Sequence, residues 1–269
     1  MNFFLRIFNS IKLRLLNLYE YFIYEIFPKK FNYLEKQNEI FQKYKLNREE
    51  GLKKLNCLIS SNEYILSDMQ SEHSIIFSAL SNLENKSFQN ILEIGTYDGK
   101  NALLLAKLFK NSKIDTLDLP DDDQLFLNSY QRKDYQKRKI FCEKRDILIN
   151  NVNNISFIKM NSLQLINSNR KYDLIWIDGA HGYPYSTIDI INSLKLINPG
   201  GIILCDDVYK KTRKNDKFYI STSTYETLAA LEKAKIIKYD LFYKRLDKKI
   251  NSNPYKEKFI GIISYIKII

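Results

Sequence analysis

Cysteine and histidine are scarce in this chain of 269 residues: Cys57, Cys142 and Cys205 are the three thiols, and His73 and His181 the two imidazoles. Three widely separated cysteines build neither a disulfide framework nor a C-x-x-C metal site, and the pattern fits a reducing, cytoplasmic setting. Two histidines leave too few ligands for H-E-x-x-H or Cys2His2 zinc chemistry. Glycine and proline number only 8 and 5, which excludes collagen-like and low-complexity chains. No run reaches the ~20 uninterrupted apolar residues that a bilayer-spanning helix needs. The dinucleotide fingerprint G-x-G-x-x-G is missing, and so is the Walker G-x-x-x-x-G-K-[ST], because Lys100 follows Gly99 at the wrong spacing.

What is present is enough to fold. Hydrophobic residues make up 45% and charged residues 27% of the chain, so it is not disordered by composition, and its 269 residues fit one large α/β domain with an appendage, or two small domains. The formal net charge is +11, a value compatible with anionic partners such as nucleic acid or an acidic membrane surface. The excess is spread through a chain rich in Lys, Asn and Ile, a bias that AT-rich coding produces unaided. No nucleic-acid-binding motif accompanies it, so no specific nucleic-acid partner is expected.

Residues 1–28 read as an amphipathic helix ending at Phe27-Pro28. Phe4, Phe8, Ile11, Leu15, Leu18 and Phe22 recur at spacings of three and four, with Arg6, Lys12, Arg14 and Glu20 on the other side. Such a helix either lies on a membrane, giving peripheral attachment at the inner face, or docks on the catalytic domain or on a second subunit in a homodimer. Residues 29–66 form a Lys/Glu/Asn-rich connector with helical stretches and breaks expected at Gly51 and Asn56. Together residues 1–66 make the N-terminal unit, and no function is expected in the connector.

From residue 67 to 269 helix and strand alternate. Strands are predicted over 90–95, 113–119, 155–160, 172–178 and 201–206, and helices over 71–84, 99–109, 186–197 and 223–235, with one or two more inside 121–151. The segments 237–246 and 258–267 face each other across a polar turn and read as a terminal antiparallel hairpin on an otherwise parallel sheet.

The first strand runs into a turn that gives Glu93-x-Gly95-x-x-x-Gly99, then a helix. Glycines there allow positive φ and let a ligand approach the backbone. Asp118 ends the second strand, where a carboxylate can accept two hydrogen bonds from a ribose diol. Asn161-Ser162 follows the third strand, Asp178 ends the fourth, and Asp206-Asp207 ends the fifth.

This combination resembles the class I S-adenosylmethionine-dependent methyltransferases. Within that class it is similar to the metal-assisted sugar- and catechol-type O-methyltransferases and to methyltransferase family 24. The resemblance covers roughly residues 70–269. It implies a Rossmann-like, doubly wound seven-stranded sheet with an antiparallel C-terminal hairpin strand. It also implies a cofactor site of Glu93, Gly95, Thr96, Tyr97, Gly99, Asp118, Asn161, Ser162 and Asp178.

Side by side in such a sheet, Asp178, Asp206 and Asp207 would converge and repel one another unless a cation or a raised pKa relieves them. Mg2+ or another divalent ion on these three residues is the expected relief; the alternative is that Asp207 caps a turn and no metal binds. His181, three residues beyond Asp178, is the candidate general base for an acceptor hydroxyl, or else a residue that only orders its loop. His73 is expected to pack or lie on the surface, with Glu72 beside it able to reach the cofactor end.

The expected activity is O-methylation of a small molecule or of a sugar in a glycan. The competing readings are a metal-free methyltransferase on another acceptor and a membrane-associated, non-catalytic binding module. Asp178 and His181 are the expected catalytic pair.

Overall fold

The structure is a computed structural model; it describes residues 8, 11–12, 14–16, 18–27, 31–66, 69–130, 132–213, 216–217 and 219–266. Seven strands form one sheet in the order β3-β2-β1-β4-β5-β7-β6. They are β1 (Asn90–Ile94), β2 (Lys113–Asp118), β3 (Ile155–Lys159), β4 (Tyr172–Ile177), β5 (Ile197–Val208), β6 (Ile237–Tyr243) and β7 (Phe259–Ile266). The first five pair in parallel, and β7 runs antiparallel to both β5 and β6. The fold class expected from the sequence is therefore the one observed, with the terminal hairpin inserted so that β7, not β6, meets β5.

The near-continuous apolar strands reflect burial on both faces. Side chains alternate between two cores with the period of two that a strand imposes. Ile91, Leu174, Trp176 and Leu204 enter one core, while Leu92, Ile175, Ile177, Ile203 and Cys205 enter the other. The first core is closed by α2 (Tyr33–Lys43), α3 (Arg48–Ser60), α4 (Glu72–Leu80) and α5 (Lys100–Leu108). The second is closed by α8 (Tyr185–Leu196) and α9 (Ser223–Lys233). A one-turn helix α6 (Gln124–Leu127) and the longer α7 (Tyr135–Asn150) fill the β2–β3 crossover, and α10 (Lys248–Ser252) fills the hairpin turn.

Two expectations for the connector are corrected. Helix α3 runs unbroken through Gly51 and Asn56, and the chain breaks instead at Tyr44–Asn47, where Lys45 has φ +56°. Gly51 is the close-packing point between α3 and α4: a Cβ there would lie 2.7 Å from the Ile75 carbonyl oxygen. Phe41, Leu55 and Leu58 share the first core with Trp176 and Leu204, so the connector helices are part of that core's wall.

The N-terminal stretch is helical over its described part and ends in a π-helical segment, α1 (Tyr21–Ile26). Phe4, Arg6 and Pro28 lie outside the described residues. The chain packs here through α1 against α10, and the Glu20 carboxylate pairs with Arg213. Phe8, Ile11, Leu15, Leu18 and Phe22 remain exposed, Phe8 at 67% and Leu15 at 62%; the apolar stripe is not docked on the sheet domain. Among the described residues no helix is long and apolar enough to cross a membrane.

Candidate active site

The C-terminal edge of the parallel strands gathers most of the residues singled out in the sequence. Gly95 has φ +105° and sits against the end of β4: a Cβ would lie 2.2 Å from the Asp178 carbonyl oxygen. Gly99, φ +78°, is the N-cap of α5 and packs on Ile149 of α7. Both glycines serve backbone geometry and close packing at this turn.

Glu93 is fully buried. It accepts hydrogen bonds from Asn101 Nδ2 (2.7 Å) and Thr116 Oγ1 (2.5 Å), and Thr116 in turn meets Thr96 Oγ1 at 2.6 Å. Burial raises its carboxyl to about 7 against the pull of those hydrogen bonds. Both of its oxygens are engaged inside the protein, so Glu93 braces the turn.

Asp118 sits at the tip of β2, as expected. Its Oδ2 accepts from the Tyr97 N–H (2.9 Å) and its Oδ1 from the Leu119 N–H (2.8 Å). A carboxylate offers about four lone-pair sites, so two are left for a diol. Burial pushes Asp118 up, opposed by those two N–H donors and by Arg132. Asn161 Oδ1 caps the 3-10 turn Ser162–Asn167 by accepting from the Leu163 N–H (3.0 Å), and the Ser162 carbonyl accepts from Asn192 (3.2 Å).

The acid cluster departs from expectation in one decisive respect. Between the β5–β7 pairs Cys205↔Gly261 and Val208↔Phe259, two residues on β5 oppose one on β7. That is a β-bulge. Asp207 takes φ +47° in it. Consecutive strand residues normally point to opposite faces; here Asp206 and Asp207 reach the same ammonium. Lys244 Nζ lies 2.5 Å from Asp206 Oδ2 and 2.6 Å from Asp207 Oδ1, and Lys258 Nζ lies 2.9 Å from Asp207 Oδ2.

Against the upward push of burial, Lys244, His181 and Lys258 hold Asp207 below the usual carboxylate range. Burial would lower Lys244, but Asp206 and Asp207 carry it above the usual amine range. The residues therefore do not fit the expected divalent ion: its position between the two carboxylates is taken by an ammonium. Among the described residues no group of three or more His, Cys, Asp or Glu side chains is placed to hold a metal.

His181 Nε2 lies 3.5 Å from Asp178 Oδ1. Burial lowers His181 against the attraction of Asp207 and Asp206, leaving it uncharged near neutrality. Burial and then repulsion from Asp206 push Asp178 well up. His73 is packed, as one of its two readings had it: its ring stacks on Trp176 at 5.6 Å and meets Phe77 edge-on at 5.7 Å. Glu72 does not reach the cofactor end. Arg48 holds both of its oxygens at 2.7 and 2.8 Å.

Four contributors escape the sequence. Lys244 and Lys258 flank the hairpin turn and pair across it (Lys244 N–H to the Lys258 carbonyl, 3.0 Å); only the strand order puts them beside β5. Arg132 is 6% exposed, boxed by Phe126 (4.0 Å), Phe141 (4.5 Å), Tyr130 (5.3 Å) and Tyr97 (5.5 Å), in a loop with no periodicity to read. Asp189 of α8, raised to about 6 by burial, lies under Gly179.

A doubly wound sheet of this order, with a glycine turn after its first strand and an acid ending its second, defines the class I methyltransferase fold. Residues 92–208 match the model of a family described as a methyltransferase domain. No curated protein matches the sequence. Among solved structures, the chain is similar to the O-methyltransferase from Bacillus cereus in complex with S-adenosylhomocysteine, at 16% identity over 92% of this chain and 97% of that one, TM-score 0.51. It is also similar to the O-methyltransferase TomG from Streptomyces achromogenes, involved in tomaymycin synthesis and solved with S-adenosylmethionine, at 13% identity over 92% and 96%, TM-score 0.53. At these identities the likeness is one of fold.

Proposed function

We propose that this chain is an S-adenosylmethionine-dependent methyltransferase that acts on a hydroxyl oxygen of a small molecule or sugar. The observation that carries the reading is the pair His181–Asp178 beside the Gly95 turn: an uncharged imidazole at the cleft edge is poised to take a proton. Bound S-adenosylmethionine supplies a methyl group already activated on its sulfonium. The chain's residues then have two tasks, aligning the acceptor oxygen in line with that methyl and removing the hydroxyl proton. His181 would take the proton at Nδ1, because its Nε2 is the nitrogen that faces Asp178 Oδ1, and Asp178 would hold the ring; the methyl group would pass from sulfur to the acceptor oxygen. Tyr130 and Tyr183, 69% and 70% exposed, offer rings for an acceptor with a flat apolar face. The two structurally similar proteins, both O-methyltransferases, support the same reading.

The test has two arms. Calorimetric titration with S-adenosylhomocysteine should show micromolar binding by wild type and at least about tenfold weaker binding by Asp118→Ala, since each lost charge-assisted hydrogen bond costs about 1.5–3 kcal/mol. Equal binding by the two would refute the cofactor site. Transfer of labelled methyl to a panel of hydroxyl and amine acceptors should favour hydroxyls and fall in Asp178→Ala and His181→Asn with cofactor binding retained; transfer to amines alone would overturn the acceptor class.

We also propose that the N-terminal stretch rests on an anionic membrane surface, with exposed Phe8, Ile11, Leu15, Leu18 and Phe22 in the interface and the exposed Lys12 and Arg14 toward lipid phosphates.

A further inference from the structure

We propose that Lys244 is the resident cation of the acid cluster, so that methyl transfer by this chain is metal-independent and removing the lysine frees the Asp206 and Asp207 carboxylates to take a divalent cation. Metal independence rests on the methyltransferase reading above; the occupancy of the cluster by Lys244 does not.

Three features of the structure build the lysine into the site. The bulge on β5 turns two successive carboxylates onto one nitrogen, an arrangement a regular strand cannot make. The backbone of Lys244 is then fixed from both sides. Its N–H donates to the Lys258 carbonyl at 3.0 Å, and its own carbonyl accepts from the Glu72 N–H at 3.1 Å. Behind these bonds stand the connector helices: Arg48 of α3 clamps Glu72, and Gln37 of α2 bonds both Glu72 and the main chain of Tyr243, the residue before Lys244. The connector, expected to carry no function, thus anchors the lysine that faces both Asp206 and Asp207.

The third feature is the count of oxygens. Asp206 Oδ2 and Asp207 Oδ1 face Lys244, and Asp207 Oδ2 faces Lys258. A Mg2+ ion needs near-octahedral oxygen ligands at about 2.0–2.1 Å. Here the facing oxygens already converge on ammonium protons, and two positive charges stand where a dication would have to enter. An ammonium carries three donors. Two are used on Asp206 and Asp207, leaving a third for Asp178 or the oxygen of an acceptor.

The experiment is Mn2+ binding to the purified full chain, followed by electron paramagnetic resonance and calorimetry. Wild type should bind no Mn2+ at the cluster. Lys244→Met should gain one Mn2+ per chain, at least about tenfold tighter than wild type, and the added change Asp207→Asn should abolish the gain. Should the methionine variant not fold, Lys244→Gln, which keeps a donor for Asp206, takes its place.

Wild-type Mn2+ binding that Asp207→Asn removes would overturn the proposal, as would a folded Lys244 variant that gains none. S-adenosylhomocysteine titration on the same samples reads the methyltransferase assignment separately. Its failure alongside a Mn2+ gain would sink the enzyme reading and leave the lysine assignment standing.

Discussion

Glu93 and His73 respond to pH in opposite directions. Burial raises the Glu93 carboxyl to about 7, while an unfolded Glu titrates near ~4.3. A raised acid contributes stability that is complete below the unfolded value and is lost as pH climbs through the folded one. Burial lowers the His73 imidazole to about 4, against ~6.5 unfolded; its contribution is complete above ~6.5 and is lost as pH falls through about 4. The two slopes largely cancel in the wild type, each being worth about 3 kcal/mol. Denaturant melts at pH 4.5 and 7.5 should therefore show Glu93→Gln gaining stability relative to wild type as pH rises, and His73→Gln losing it. Parallel pH curves for all three proteins would show that neither group titrates as the structure places it. At this scale the acids were legible because a carboxylate at a strand's C-terminal end is a local feature. The bracing role of Glu93 was not, since it depends on Thr116 from the next strand.

The turn that joins β1 to α5 is where sequence signal and packing coincide. Gly95 combines φ +105° with a backbone contact that any Cβ would violate at 2.2 Å, so Gly95→Ala must push the end of β4 away and carry Asp178 with it. We expect a loss of about 3 kcal/mol or more, a melting point lower by about 6–12 °C, and loss of S-adenosylhomocysteine binding. Gly200 is the control. Its φ of +74° is open to Asn, and a Cβ there meets nothing within 4 Å, so Gly200→Asn should cost less than about 1 kcal/mol. The β-α-β alternation was legible from residue 67 onward, because buried parallel strands are short apolar runs punctuated by helices. Gly51 misleads for the opposite reason: it looks like a helix breaker, yet α4 crosses so closely there that only glycine fits within an unbroken helix.

For the whole molecule, the unresolved balance is between a sheet domain that buries its apolar residues and an N-terminal helix that does not. Phe8, Ile11, Leu15, Leu18 and Phe22 are all exposed, a contiguous apolar surface that calls for a partner. Co-sedimentation with vesicles containing anionic lipid should capture the full chain and lose it in Phe8→Glu/Leu15→Glu/Leu18→Glu, with binding weakened by added salt. Absence of binding together with a dimer that the same triple change dissolves would assign the stripe to a second copy instead.

Hydrophobic periodicity, the glycine turn and acids at strand ends are local properties of the chain, and they determined the α/β class, the strand sequence and the placing of Asp118, Asp178 and Asp206 at strand ends. What relieves Asp206 and Asp207 was a tertiary decision. Residues 244 and 258 lie 38 and 52 positions from Asp206 in the sequence, and only the insertion of β7 between β5 and β6, together with a one-residue bulge, brings their ammonium groups onto the carboxylates. Charge compensation in a buried site depends on distances of a few ångströms between distant segments. No spacing along the chain encodes that.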